Sequence, residues 1–300
     1  MNTSRQHPHG SAMLLVLWAL LLLSAAVFAW AVSIQNSIVL HSDTSRAVEA
    51  RAAAHSGMSV ALHPRVSRQT PLPEETIAPG MSYQVAVISE GGKLNINWLL
   101  RGEEPRKLIL LKQWLERRGL SSEEREIFVD CLLDYVDGDD LHRLNGREDE
   151  GDYHPANREL ASVDEIAGVA GSTPLVSQPG WQDELTIYSQ GPIDIGSASA
   201  DMLRLLPGLS ETRIQQFITY RQGEDGIDGT VDDPVFKNLG VVQSFLGLSP
   251  AQFKELGGFI TYRDPTLNIT STGKAGNVTR QLEVVVRKGG GKPQILLWKE

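Results

Sequence analysis

Carboxylates are the side chains best placed to do chemistry in this sequence, and they gather in two stretches. Gly223-Glu-Asp-Gly-Ile-Asp-Gly-Thr-Val-Asp-Asp233 carries Asp225, Asp228, Asp232 and Asp233, punctuated by Gly223, Gly226 and Gly229. Like charges at that density repel, so a folded loop there needs a cation or full solvation. Carboxylates interleaved with flexible backbone carbonyls suit Ca2+, which takes about 6–8 oxygen ligands. The spacing is not that of an EF-hand, because no Glu stands at its closing position. A solvated acidic turn and a Ca2+ site both stay open. In the second stretch Asp134, Asp137, Asp139 and Asp140 precede Glu148, Asp149, Glu150 and Asp152. These acids close a predicted helix at the end where its dipole disfavours negative charge. A bound cation, or pairing with Arg143 and Arg147, is expected to offset them.

Other chemistry finds little footing. No His pair has metal-ligand spacing, and His142 and His154 lack an evident Ser or Cys partner. Neither a phosphate-binding glycine loop nor a G-x-S-x-G elbow is present. The carboxylates cluster in Gly-rich turns rather than on rigid element ends, so an enzyme is not expected. Cys131 is the sole cysteine, which excludes an intrachain disulfide. A net charge of −9, with no basic block after the apolar N-terminal run, disfavours generic nucleic-acid binding. Leu206-Pro-Gly-Leu209 between two predicted helices is similar to a helix-hairpin-helix, and Arg204, Arg213 and Arg221 stand nearby. That motif grips DNA through hairpin amides and basic side chains. The acidic surroundings favour a structural use.

The elements that must position these groups begin with one long predicted helix, Ser11 to Leu62. Its first part, Ser11 to Ile34, is uncharged and would reach roughly 36 Å, enough for a bilayer core of about 30 Å. It exceeds the h-region of a secretory signal, about 7–15 residues. Gln35 to Leu62 continues without Pro, with apolar positions at Ile38, Val48, Ala52, Met58 and Leu62, until Pro64 stops it. Pro64 to Gly80 reads as loop. Alternation predicts strands at Ser82–Ser89 and Lys93–Trp98, paired through Gly91-Gly92, and at Gln281–Arg287 and Gln294–Trp298, paired through Gly289–Gly291. The stretch between the two hairpins is mostly helical: Lys107–Arg118, a capped helix from Ser121, a short one at Ser162–Ala170, Ser199–Leu206, Ser210–Arg221 and Ser249–Tyr262. Phe217-Ile-Thr-Tyr-Arg221 recurs as Phe259-Ile-Thr-Tyr-Arg263, either by chance or as the trace of a duplication. The fold class is α+β: a long helix on a small antiparallel sheet, with a large helical insert.

A short, mildly basic leader ending in Gly10, then the apolar helix and its amphipathic continuation, resembles the type IV prepilin-like proteins. The resemblance implies cleavage between Gly10 and Ser11 by a prepilin peptidase, methylation, and filament packing through Leu14, Leu15, Leu17, Trp18 and Leu21. Most members have Glu at the fifth mature position; here it is Leu15. That departure marks the minor pseudopilin K family of type II secretion. Leu94-Asn-Ile-Asn97, Leu133 to Asp140, Thr186-Ile-Tyr-Ser189 and Pro192 to Leu203 are also similar to that family, although Gly196 stands where Asn is common. The resemblance implies bound Ca2+, partners of the I and J type, a major pseudopilin beneath, and a place at the pseudopilus tip in the inner membrane and periplasm. The expected organisation is leader 1–10, membrane half 11–34, helix and first hairpin 35–98, insert 99–267 and second hairpin 268–300. Two other readings stay open: a tip subunit of a type IV pilus or DNA-uptake machine, and a membrane-anchored periplasmic enzyme.

Overall fold

Small residues decide how the long helix meets the sheet. A computed structural model describes residues 9–289 and 292–300, and of residues 9–12 and 35–43 only the backbone. The leader therefore lies almost wholly outside the described residues, as do Gly290 and Gly291 of the last turn. Helix α1, His9–Ala61, is continuous over 53 residues, so it spans about 80 Å. Its segment Met13–Ile34 is exposed along its length. The seam buried against the sheet is Ala50, Ala53, Ala54, Gly57, Met58 and Ala61, three and four residues apart. Of the apolar positions expected to form this face, Met58 is buried and Leu62 half-buried, but Val48 is 65% exposed and Ala52 points outward. The buried face is made mostly of small residues, which lets the helix lie close to the sheet.

The sheet has five antiparallel strands in the order β1 (Glu75–Ala78), β2 (Met81–Ser89), β3 (Thr266–Ala275), β4 (Val278–Arg287) and β5 (Gln294–Lys299). Tyr83, Val85, Leu267, Ile269, Leu282, Val284 and Val286 face α1. At the crossing point a Cβ on Gly273 would lie 2.0 Å from the Ala50 carbonyl oxygen, and one on Gly57 would lie 2.5 Å from Ser271 Oγ. Ser271 Oγ donates to the Ala54 carbonyl at 2.8 Å, so the one buried hydroxyl in the seam has a partner. Lys288 Nζ closes the far end of α1, donating to the carbonyls of Ala61, His63 and Val66 at 2.7, 3.2 and 2.9 Å. A cation on the last carbonyls offsets the dipole where Pro64 ends the helix.

The expected pairing of Ser82–Ser89 with Lys93–Trp98 does not occur. β2 takes β1 on one side and β3, from beyond the insert, on the other. Leu94–Asn95 instead pairs in parallel with Leu185–Thr186, and Asn95 caps a helical turn at Ile96–Leu100 by accepting from the Trp98 amide. Gly91 and Gly92 serve close approach rather than a hairpin: added Cβ atoms would meet Asp264 Cβ at 2.3 Å and the Ser197 carbonyl at 2.5 Å. Leu94 and Ile96 pack in the insert's core, so the insert takes over from the sheet at Glu90, ahead of the boundary expected at 99, and hands back at Thr266.

That insert has its own core, built on Leu111, Trp114, Leu115, Phe128, Leu132, Ile166, Leu175 and Phe217. Its main helices are α2 (Pro105–Arg117), α3 (Ser122–Val136), α4 (Glu211–Arg221), α5 (Leu239–Leu246) and α6 (Pro250–Leu256). α3 starts on a full capping box between Ser121 and Glu124. α5, absent from the sequence expectation, is capped by Asn238 and ended by left-handed Gly247. The repeated pentapeptide is helical at 217–221 but supplies strand Ile260–Thr261 on recurrence, so it marks no structural duplication.

Substituting Gly273 by Val should force α1 off β3 and cost about 1–3 kcal/mol. Urea unfolding of the full chain in detergent checks it, with Gly168→Ala, which meets nothing within 4 Å, as the control.

Candidate functional site

The helix carrying Cys131 ends in the arrangement that most needs a cation. Asp134 sits in the last turn of α3 with its carboxylate fully buried, and Asp137 is the residue that leaves the helix. The chain then folds back so that Arg143 donates to both: its backbone amide reaches Asp134 at 3.1 Å and its guanidinium reaches Asp137 at 2.7 Å. Gly146 makes the return possible, because a Cβ there would stand 1.8 Å from Asp134 Oδ2. Asp130 accepts from the Asn145 amide and side chain, and Cys131 Sγ donates to the Asn145 carbonyl. Burial, with Asp134 and Asp130 nearby, pushes the Cys131 thiol up to about 11, which suits packing and not nucleophilic attack.

Glu148 completes the group. Ligand oxygens of Asp134, Asp137 and Glu148 all lie within 4.8 Å of one another. Glu148 is 9% exposed, and neither of its oxygens has a hydrogen-bond partner among the described residues; Asp137 Oδ1 also has none. Burial, then the fields of Asp134, Asp137, Asp140 and Asp139, pushes the Glu148 carboxyl above its ordinary range. The Arg143 guanidinium is shared among Asp134, Asp137 and Glu103 and leaves Glu148 without a partner. The unpartnered oxygens of Glu148 and Asp137, converging beside buried Asp134, are hard donors of the kind that fits Ca2+. Of the acids singled out in the second stretch, Asp134, Asp137 and Glu148 form this group, while Asp139 caps the Leu141 amide at 2.9 Å and Asp140 is exposed.

The loop at 223–233 is solved differently. Asp228 pairs with Arg221 at 2.7 Å and Arg68 at 3.8 Å, and buried Asp233 accepts from the Gly229 amide at 2.6 Å with Arg68 at 3.8 Å. Asp232 accepts from Thr230 Oγ1 and from the amides of Glu224 and Asp225, with Thr230 foremost in holding its carboxyl down at about 2. Asp225 accepts from the Ile227 amide. Two guanidinium groups thus supply cations that the loop's sequence calls for. Arg68 comes from the segment read as featureless loop; only the charge deficit at 223–233 could have hinted at it. At the helix-hairpin-helix-like turn, Arg204 is held by Glu211 and Asp201, and Arg221 is buried under the carbonyls of Ile195 and Ala198.

The fold is that of a pseudopilin: a rod whose upper part lies on an antiparallel sheet, here carrying a second body between two of its strands. A chain of the crystal structure of the GspK–GspI–GspJ complex from the type 2 secretion system of enterotoxigenic Escherichia coli shares this fold. The TM-score is 0.60 at 14% identity, over 88% of this chain and 98% of that one. Residues 92–178 match the family model of type II secretion system protein K. No curated protein sequence matches the chain. Within residues 92–178 the chain is similar to type II secretion system protein K, and the fold is shared with the chain of that complex.

Because the folded Glu148 pKa is raised, its stabilising contribution in chelator-treated protein is present below the unfolded value and lost as pH rises through the folded one. Glu148→Gln should therefore raise the melting temperature of the metal-free chain at neutral pH. It should also shrink the rise that added Ca2+ produces, as read by differential scanning calorimetry.

Proposed function

We propose that this chain is a K-type minor pseudopilin of the type II secretion system, which stands at the tip of the pseudopilus and helps start the fibre that pushes folded proteins across the outer membrane. One observation carries the reading. Ser89, where the insert begins, pairs with Leu267, and Thr266, where it ends, pairs with Arg287. These residues share the sheet end at which Lys288 caps α1, opposite the Met13–Ile34 segment. A head mounted there, with its own core, would obstruct any subunit stacked above it.

Leu15 in place of a carboxylate points the same way, since it removes a partner for a neighbour's N-terminal amine. Partners of the I and J type are supported by the complex in which the similar chain was solved. The exposed flank of Leu14, Leu15, Leu17, Trp18 and Leu21 would lie in the inner membrane before assembly and against the major pseudopilin afterwards. Cleavage by prepilin peptidase between Gly10 and Ser11, with methylation of the new terminus, would free the rod. Ca2+ held by Asp134, Asp137 and Glu148 would stiffen the head. Asp225, Asp228, Asp232 and Asp233 give a second ion less support, because Asp228 and Asp233 face arginines and Asp225 and Asp232 accept from backbone amides. The role is mechanical, and no catalytic constellation among the described residues supports an enzymatic one.

Gold-labelled antibody against the head should mark one end of sheared filaments, and mass spectrometry of the same material should find chains beginning at Ser11. Label along the whole filament would contradict tip placement.

A further inference from the structure

The outer edge of β2 is only partly covered. β3 runs alongside all of β2, from Met81 to Ser89, but β1 pairs only with Met81, Ser82 and Tyr83. From Gln84 onward no strand among the described residues lies on the outer side. The chain's own segment there cannot extend β1 along it, because Pro71 and Pro73 lack amide donors and are confined in φ. Natural sheets usually blunt such an edge with charge, a bulge or a covering element. Here the edge opens into a groove of about 590 Å3 instead.

The walls of that groove are defined by chemistry as well as shape. Residues 68–72 form one side and the loop carrying Asp225, Asp228 and Asp232 the other. Arg68 is committed to Asp228, Asp233 and the Gly196 carbonyl. Asp225 and Asp232 are met by backbone amides and a hydroxyl but by no cation. Two large apolar side chains also line it in the open, Ile88 at 59% exposure and Val231 at 74%. An unpaired strand edge, a carboxylate wall lacking cations and two exposed apolar flanks describe the complement of one kind of ligand.

We propose that this groove takes an extended, basic segment of a different polypeptide, added as a strand beside Gln84–Ile88. Backbone hydrogen bonds to the β2 edge would supply affinity, and alternate side chains would supply selection. Lys or Arg on one face would meet Asp225 and Asp232, with apolar residues against Ile88 and Val231. A second copy of this chain is a poor donor of such a strand, since it carries a net charge of −9 itself. The inference rests on the fold alone and does not depend on tip placement.

The test uses the full-length chain in detergent micelles and a fluorescein-labelled synthetic peptide, Lys-Val-Arg-Val-Lys-Val, read by fluorescence polarisation. Saturable binding is expected, weakening by about tenfold or more when Glu replaces the basic residues or when every peptide amide is N-methylated. Ile88→Arg and Val231→Arg, both at exposed positions and so compatible with folding, should each cause a similar loss. Absence of saturable binding would overturn the proposal. Binding indifferent to N-methylation and to both arginine variants would overturn it as well.

Discussion

The closeness of α1 to the sheet is the constraint on which the rest of this molecule depends. A helix axis normally stands off a sheet by the length of the side chains between them. Here Ala50, Ala53, Ala54 and Gly57 on the helix meet Gly273 and Ser271 on β3, so backbone nearly touches backbone. Such contacts gain dispersion along the whole seam and tolerate no added methyl group. The outcome is mechanical. The apolar segment Met13–Ile34 and the sheet belong to one stiff body, because the helix joining them is unbroken and its upper turns are locked in place. Lys288 adds a clamp at the last turn, tying β4 to the end of the helix.

On that body the insert is carried as a second core, and its charges are settled in three ways. In the 223–233 loop guanidinium groups from Arg68 and Arg221 neutralise carboxylates, and Arg68 links the head to the segment leaving α1. Around Asp232 and Asp225, backbone amides suffice because those groups stay at the surface. At Glu148 neither solution applies: the group is buried, surrounded by other acids and without a donor. A buried, unpaired carboxylate is costly unless it is protonated or bound to a cation. That contrast separates an acidic stretch that has its counter-charges from one whose single guanidinium leaves Glu148 without any.

Much of this architecture could be read in the sequence, for identifiable reasons. α1 announced itself through a long uncharged run followed by an uninterrupted helix-forming stretch, and α3 through its capping box at Ser121 and Glu124. The pairing of β4 with β5 followed from alternation about a glycine turn. Long-range partners were hidden. β2 finds β3 only across the insert, so proximity in sequence suggested Lys93–Trp98 instead, where Asn95 in fact caps a helical turn. The acidic site was half legible: composition flagged both stretches, but which carboxylates converge depended on the return loop and on Gly146. Arg68 could not have been found at all from local pattern, since its role exists only once the two bodies are assembled.

Native-state hydrogen exchange on the full chain tests the locked seam most directly. The account predicts that amides of residues 53–61 in α1 exchange only through global unfolding, in step with those of Ile269 and Val284 at the centre of the sheet. Exchange of the α1 amides through a separate and easier opening, with Ile269 and Val284 still protected, would contradict it.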